Sequence, residues 1–221
     1  MPPRAGVLFD LDGVIIDSEK LQYRAYQQVL EPLGVRITPD EYGREWIGNG
    51  RGAEYAVATY GLSLQPDELR GLRTEVYFDL LRREVALMPG VVAALQRLSP
   101  HFPLAVATNS NRRDTTFVLD HLSVREYFTA VVTREMYEAA KPAPDAFLAA
   151  AAHIGVPPLH CVVLEDAYKG VIAAAEAGCP CVAIPHDFTR ANDFSRASII
   201  VDDLDAVTVE LIDELTSAKK C

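Results

Sequence analysis

The first apolar run of the chain is Val7-Leu8-Phe9, and Asp10-Leu11-Asp12-Gly13 follows it directly. A short apolar run that ends in acids predicts a buried strand whose carboxyl end meets a polar loop. Asp12 lies two residues after Asp10, so both carboxylates point to the same side of an extended strand end. Gly13 lets the backbone turn away sharply behind them. This stretch therefore predicts a first strand with a pair of carboxylates at its carboxyl end.

From residue 86 onward, short apolar runs alternate with helical patterns. The further strands predicted from these runs are 104–107, 130–132, 161–164, 181–184 and 199–201. Continuous apolar strands that alternate with helices are typical of a parallel, doubly wound sheet. We therefore predict an α/β fold with a Rossmann-like core.

Residues 17–85 carry a different pattern. Apolar residues recur at every fourth position in Leu21, Ala25, Val29 and Leu33, which indicates a helix. Thr38-Pro39-Asp40-Glu41 is a capping box with proline at the first helical position. Further helices are predicted over 53–60 and 66–84, and no strand candidate lies between them. We predict an inserted all-α cap domain, called here the helical insertion (residues 17–85), in a core formed by residues 1–16 and 86–221.

The composition is that of an ordinary globular protein, with 221 residues, 49% hydrophobic and 24% charged, which excludes a disordered chain. The formal net charge of −10 opposes binding to nucleic acid phosphates and anionic lipid. The chain has no apolar run of about 18 residues and no signal-peptide pattern at its start. Its four cysteines lack the spacing of a disulfide framework. We expect a cytoplasmic monomer or weak dimer that binds neither nucleic acid nor membranes.

Polar residues follow four of the predicted strands. In chain order they are Asp10 and Asp12, then Thr108-Asn109-Ser110, then Lys141 after a loop, then Glu165-Asp166. In doubly wound sheets, ligands bind at the carboxyl ends of the strands. We therefore expect these groups to converge on one edge of the sheet and to form the functional site.

The chemistry of these side chains favours phosphoryl transfer. Clustered carboxylates repel each other unless a hard cation lies among them, and oxygen ligands suit Mg²⁺. A cation and the lysine together neutralise charge on a transferring phosphoryl group. Asp10 is suited to attack phosphorus, and Asp12 to protonate the leaving oxygen. The hydroxyl of Thr108 and the N–H groups after it can hold phosphoryl oxygens.

Four segments resemble the signatures of the haloacid dehalogenase superfamily of phosphotransferases. The first is residues 9–19, which begin with Phe9-Asp10-Leu11-Asp12-Gly13. The others are residues 105–110, 141–147 and 163–166, the last accompanied by Gly170. They occur in the order of the family and span most of the chain. Within the superfamily the chain is similar to the β-phosphoglucomutase and phosphoglycolate phosphatase branch, whose members carry a helical cap after the first signature.

The resemblance implies roles for particular residues. Asp10 would form an aspartyl-phosphate, and Asp12 would be the general acid and base. Glu165 and Asp166 would bind Mg²⁺ together with Asp10 and the main-chain carbonyl of Asp12, while Thr108 and Lys141 would hold the phosphoryl group. Residues 47–51 look like the cap loop of the mutase, so Arg51 is expected to contact the substrate. Asn109 and Ser110 are the other expected substrate contacts.

The expected function is hydrolysis of a small phosphorylated metabolite, such as a sugar phosphate or a phosphoglycolate-like compound. The alternative is a sugar-phosphate mutase, which uses the same covalent intermediate. This chain has Ile47 and Gln22 where the mutase has a lysine and a histidine. A non-enzymatic phosphoacceptor module is a third possibility, which Asp12 and the helical insertion disfavour. The five histidines all lie outside the insertion and are expected at surface or packing positions.

Overall fold

The computed structural model describes residues 5–217, and its centre is a six-stranded, fully parallel sheet. The strands are β1 (Gly6–Phe9), β2 (Leu104–Ala107), β3 (Ala130–Val132), β4 (Cys161–Glu165), β5 (Cys181–Ala183) and β6 (Ile199–Ile200). Their order across the sheet is β3-β2-β1-β4-β5-β6. This is the order of a doubly wound sheet, so the predicted fold class is confirmed.

Helices cover both faces of the sheet. The helices of the core are α5 (Val91–Leu98), α6 (Arg112–His121), α7 (Asp145–Ile154), α8 (Tyr168–Ala177) and α9 (Val209–Ser217). Neighbouring strand residues point to opposite faces. Val7 and Phe9 lie in the hydrophobic cluster that contains residues of α5, α6 and α9, whereas Leu8 lies in the one that contains residues of α7 and α8. The core is therefore a three-layer sandwich with β1 in its middle.

The helical insertion, residues 17–85, consists of helices and loops without a strand, as predicted. It contains α1 (Glu19–Leu30), α2 (Pro39–Tyr42), α3 (Gly52–Tyr60) and α4 (Pro66–Glu84). The capping box predicted at Thr38 is formed with Glu41. The helix that begins there is α-helical up to Tyr42 and continues as a π-helical turn, Gly43–Gly48. Gly43 packs closely there, since a Cβ at this position would lie 2.9 Å from the carbonyl oxygen of Phe188.

Two backbone segments connect the helical insertion to the sheet, and they lie side by side. The N–H of Asp17 donates to the carbonyl of Ala86 over 3.0 Å, and the N–H of Met88 donates to the carbonyl of Ile15 over 2.9 Å. The insertion also contains a hydrophobic cluster of its own, whose largest members include Tyr26, Leu30, Tyr42 and Leu69. The insertion thus has a packed cluster of its own, while Leu21, Leu80 and Leu81 belong to the hydrophobic cluster of the core.

Of the helices in the described part of the chain, none combines the length and the apolar character needed to span a bilayer.

Candidate active site

The carboxyl ends of β1 and β4 meet at the centre of the sheet. β1 and β4 are hydrogen-bonded neighbours, and the strand order runs in opposite directions on either side of them. Such a reversal leaves a crevice beyond the strand ends. Asp10 follows β1 directly, Glu165 is the last residue of β4, and Asp166 follows it. The fold therefore brings these three acids together from positions more than 150 residues apart in the sequence.

A buried lysine joins two of these acids. Lys141 Nζ lies 2.5 Å from Asp10 Oδ1 and 2.8 Å from Glu165 Oε1. All three residues are at most 8% exposed. Lys141 reaches this position from the loop before α7, and its Nζ also lies 4.5 Å from the centre of the Phe147 ring. Burying an ion cluster of this kind costs free energy unless further hydrogen bonds or ions compensate its charges.

The cluster carries more negative charge than Lys141 balances. Burial raises the pKa of Asp10 well above its usual value, and the opposing effect of Lys141 is smaller. Burial and the neighbouring Glu165 carboxylate raise the pKa of Asp166 in the same way. Burial also lowers the pKa of Lys141, but the carboxylates of Asp10 and Glu165 outweigh this and raise it above the usual value. A cation placed among the acids would relieve their repulsion.

The arrangement of the acids fits a hard cation. Carboxylate oxygens of Asp10, Glu165 and Asp166 all lie within 4.8 Å of one another. The donor set consists of oxygen atoms only, as Mg²⁺ prefers. The residues present therefore fit a divalent metal such as Mg²⁺.

Glu165 is held in one orientation by the backbone around it. Its Oε2 accepts hydrogen bonds from the N–H groups of Asp166 (2.9 Å) and Ala167 (3.0 Å). Gly170 in α8 leaves room for its other oxygen, because a Cβ on Gly170 would lie 1.6 Å from Glu165 Oε1. The glycine is thus required by the close approach of this carboxylate.

We expect Gly170→Ala to destabilise the metal-free protein by about 1–3 kcal/mol, because Glu165 must then move away from Lys141. The matched control is Gly71→Ala, which is also inside a helix but has nothing within 4 Å of the added Cβ. It should stabilise the protein by roughly 0.5–1 kcal/mol. Urea unfolding in EDTA measures the free energy of unfolding of both variants. Equal effects of the two substitutions would contradict the close contact between Gly170 and Glu165.

Asp12 is fixed by two serine hydroxyls. Ser18 Oγ donates to its Oδ1 over 2.5 Å, and Ser110 Oγ donates to its Oδ2 over 2.6 Å. Ser18 immediately precedes α1, whereas Ser110 follows β2. The carboxylate of Asp12 thus links the start of the helical insertion with the core loop. Ser18 lies in the first of the segments that resemble the family signatures, but its sequence context predicted no role for it.

The segment after β2 positions the loop that carries Lys141. Asn109 Oδ1 accepts from the backbone N–H of Lys141 (3.1 Å) and from the hydroxyl of Tyr137 (2.8 Å). Thr108 is buried, and its Oγ1 accepts from the N–H of Ser110 over 2.9 Å. The side-chain oxygen of Asn109 therefore connects the segment after β2 with the loop that carries Lys141.

His186 lies in the site, contrary to the expectation for the histidines. Its Nε2 is 2.9 Å from Asp166 Oδ2, and burial lowers its pKa, which favours the neutral imidazole. His186 follows β5, so it belongs to the same edge of the sheet as the other groups. Applying the strand-end rule to β5 as well as to the first four strands would have found it.

A cavity of about 400 Å³ lies over these groups. It is lined by eight of the predicted site residues, Asp10, Asp12, Thr108, Asn109, Ser110, Lys141, Glu165 and Asp166. The helical insertion contributes Gln22, Arg73 and Tyr77 to the lining. Arg51 does not line this cavity, and its side chain is exposed. The structure thus assembles the predicted site except for Arg51, and it places Arg73 there instead.

Two curated relatives are named for phosphatase activity. The fructose-1-phosphate phosphatase YqaB of Escherichia coli (strain K12) is 34% identical over 181 residues, which are 81% of this chain and 96% of that protein. The phosphoglycolate phosphatase of Shigella boydii serotype 4 (strain Sb227) is 28% identical over 220 residues, which are 88% of this chain and 87% of that protein. These relatives support the expected enzyme class, a hydrolase of phosphate monoesters.

A solved structure shares the whole architecture. The crystal structure of CbbY from Rhodobacter sphaeroides in complex with phosphate matches with a TM-score of 0.80 at 26% identity. The match covers 95% of this chain and 99% of that chain, so it includes the helical insertion as well as the sheet.

The sequence model of one family, haloacid dehalogenase-like hydrolase, matches residues 7–184. This span begins in β1 and ends just after β5, and it contains the four segments that carry the resemblance. The match confirms that resemblance and the expectation of a hydrolase. This chain belongs to the haloacid dehalogenase-like hydrolase family.

Proposed function

We propose that this protein is a Mg²⁺-dependent phosphatase of small phosphorylated metabolites that works through an aspartyl-phosphate on Asp10. The observation that carries the proposal is the buried cluster of Asp10, Lys141, Glu165 and Asp166 at the floor of a cavity of about 400 Å³. A cavity of this size suits a small metabolite. Relatives named for fructose 1-phosphate and phosphoglycolate support substrates of that class.

In the first step, a carboxylate oxygen of Asp10 attacks phosphorus and forms an O–P bond, while the ester O–P bond to the leaving group breaks. Asp12 gives its proton to the leaving oxygen, which departs as an alcohol. Lys141 and Thr108 bind the phosphoryl oxygens, and Asn109 and Ser110 lie beside them in the cavity. Positive charge fixed in a buried site stabilises the transferring group strongly.

In the second step, water attacks phosphorus and the bond between phosphorus and the Asp10 oxygen breaks. Asp12, now ionised, takes the proton of the water. Inorganic phosphate leaves, and both carboxyl groups return to their starting states. The hydroxyls of Ser18 and Ser110 keep the Asp12 carboxylate oriented for both proton transfers.

The carboxylates of Asp10, Glu165 and Asp166 would hold Mg²⁺, together with the main-chain carbonyl of Asp12. When bound, the ion supplies positive charge that neutralises the phosphoryl oxygens and the clustered acids. His186 orients Asp166 through its 2.9 Å contact.

We also propose that the helical insertion, residues 17–85, is a cap domain over a core of residues 1–16 and 86–221. Its separate hydrophobic cluster and the paired connection at Asp17 and Ala86 support this division. The cap contributes Gln22, Arg73 and Tyr77 to the cavity, so its closure would exclude water from the reacting groups.

The test is phosphate release from a panel of phosphorylated metabolites, with Mg²⁺ and with EDTA. We expect release with Mg²⁺ and a loss of at least about 100-fold in EDTA. The panel includes β-glucose 1-phosphate, because conversion to glucose 6-phosphate without phosphate release would identify a mutase instead. Equal phosphate release with Mg²⁺ and with EDTA would overturn the proposed metal dependence. Absence of phosphate release from every compound of the panel would overturn the proposed phosphatase activity.

A further inference from the structure

The cavity over Asp10 continues into the helical insertion. A second cavity of about 220 Å³ lies inside the insertion. Glu19, Gln22 and Arg73 line both cavities, so the two adjoin at these residues. A phosphate ester whose phosphoryl group lies at Asp10 therefore has room to direct its leaving group toward Arg73. This route places the distal end of a substrate in the insertion.

Arg73 is an arginine on the inner face of α4. It lies four residues from Leu69 and from Tyr77, and both of these are buried. Its guanidinium carbon is 5.3 Å from the centre of the Tyr26 ring and 5.5 Å from that of Tyr77. These rings hold the cation in place without neutralising its charge.

No carboxylate among residues 5–217 forms an ion pair with the guanidinium of Arg73, although Glu19 is near enough to feel its charge. The Nε of Arg73 is buried and without a hydrogen-bond partner among the same residues. Arg70, one turn earlier on α4, shows the contrast, because it pairs with both Glu54 and Asp67. Arg73 as a whole is half-buried, and leaving its buried Nε donor without an acceptor is costly unless a ligand supplies one.

The neighbouring groups favour an acceptor-rich, negatively charged ligand. Trp46 lines the inner cavity, and its Nε1 is likewise buried without a partner among the described residues. Lys169 adds a half-buried amine to the outer cavity. Glu19 is the one carboxylate shared by both cavities, and it already accepts a hydrogen bond from the Tyr42 hydroxyl over 3.0 Å. Burial raises the pKa of Glu19 to about 7, which reduces its negative charge near neutral pH.

We propose that Arg73 binds a second oxyanion, a carboxylate or a phosphate, at the distal end of the substrate, and so selects phosphate esters with two anionic ends. This inference rests on the proposed function, because it takes Asp10 as the point of phosphoryl transfer. It assigns substrate selection to α4, rather than to the exposed Arg51 that the sequence indicated.

The test compares substrates that differ only at the distal end. Phosphoglycolate is paired with 2-hydroxyethyl phosphate for the carboxylate, and fructose 1,6-bisphosphate is paired with fructose 1-phosphate for the phosphate. We expect the wild type to prefer the anionic member of at least one pair, and the pair that shows it identifies the oxyanion. Arg73→Gln should lower kcat/KM for that member about 10- to 100-fold and leave the neutral member within about threefold.

Two further variants make the test specific to Arg73. Arg82→Gln is the matched control, because Arg82 is an exposed arginine of the same helix that also lies over an aromatic ring, that of Phe78, at 5.9 Å. It should leave every kcat/KM unchanged. Arg73→Lys keeps the charge and should recover part of the preference that Arg73→Gln loses.

Each other outcome overturns the inference. A wild type that releases phosphate but prefers the neutral members would show that no distal oxyanion is selected. An equal loss on both members of each pair in Arg73→Gln would assign Arg73 to the stability of the cap. Loss of the preference in Arg51→Gln but not in Arg73→Gln would return substrate selection to the cap loop. Absence of all release from the wild type would instead refute the proposed function.

Discussion

Asp10→Asn is expected to lower phosphate release by at least about 10⁴-fold, the largest effect of any single substitution in this protein. The amide cannot act as the nucleophile that forms the covalent intermediate. It keeps the shape of the side chain, and its carbonyl oxygen still accepts from Lys141 at the position now 2.5 Å from Nζ. Removing one of several crowded, buried negative charges should not lower stability without metal. The variant should therefore be folded and inactive.

The measurement is steady-state phosphate release with Mg²⁺, accompanied by the thermal unfolding temperature in EDTA. The matched control is Asp187→Asn, because the Asp187 side chain is 88% exposed. It should change neither activity nor stability. Activity within tenfold of wild type in Asp10→Asn would contradict the assignment of Asp10 as nucleophile, whatever the metal requirement.

Lys141→Met is expected to affect both stability and activity. Lys141 is the cation that contacts both Asp10 and Glu165, and its side chain is 5% exposed. Its removal leaves two buried carboxylates without this partner, which should destabilise the metal-free protein by about 3–5 kcal/mol. Phosphate release should fall about 10³-fold, because the transferring group loses a fixed positive charge.

The pH sets the size of the stability loss. The pKa of Asp10 is raised by burial in the folded protein, so ionisation of Asp10 destabilises the folded state once the pH exceeds the unfolded-state value of about 3.9. Without Lys141 the pKa of Asp10 rises further. Destabilisation by Lys141→Met should therefore be larger at pH 8 than at pH 5, where the carboxyl groups hold more protons.

Urea unfolding in EDTA at the two pH values measures this effect. Lys20→Met is the matched control, because Lys20 pairs with Asp17 at the surface and its side chain is 64% exposed. It should change stability by less than about 1 kcal/mol. Adding Asp10→Asn to Lys141→Met should restore part of the lost stability, since one unpaired carboxylate is gone. A Lys141→Met protein as stable as wild type at pH 8 would refute the stabilising interaction of Lys141 with the two carboxylates.

The fold could be predicted from the sequence alone because the patterns that indicate its strands and helices are local. Each strand contains a continuous apolar run, and some helices carry clear cap residues, as at Thr38 and at Gly61. The strand-end rule then placed Asp10, Lys141 and Glu165 on one edge, because parallel strands all end on the same side of the sheet. Short-range patterns plus one topological rule thus predicted the fold class and eight residues that line the cavity, and the resemblance to a family added the enzyme class.

Tertiary structure decided what faces that cavity from the helical insertion. Arg51 follows a glycine in a loop that resembles a family motif, yet its side chain is exposed, whereas Arg73 on α4 lines the cavity. The sequence does contain a signal for Arg73, because this charged residue lies four positions from Leu69 and from Tyr77, on the same face of a helix. That spacing predicts a face turned inward, but it does not show whether the face lines a cavity or packs in a hydrophobic core. Ser18 and His186 likewise gain their partners, Asp12 and Asp166, only through folding. The positions of Ser18 and Arg73 depend on how α1 and α4 pack over the sheet, and the contact of His186 depends on the pairing of β4 with β5. No local pattern specifies these long-range contacts.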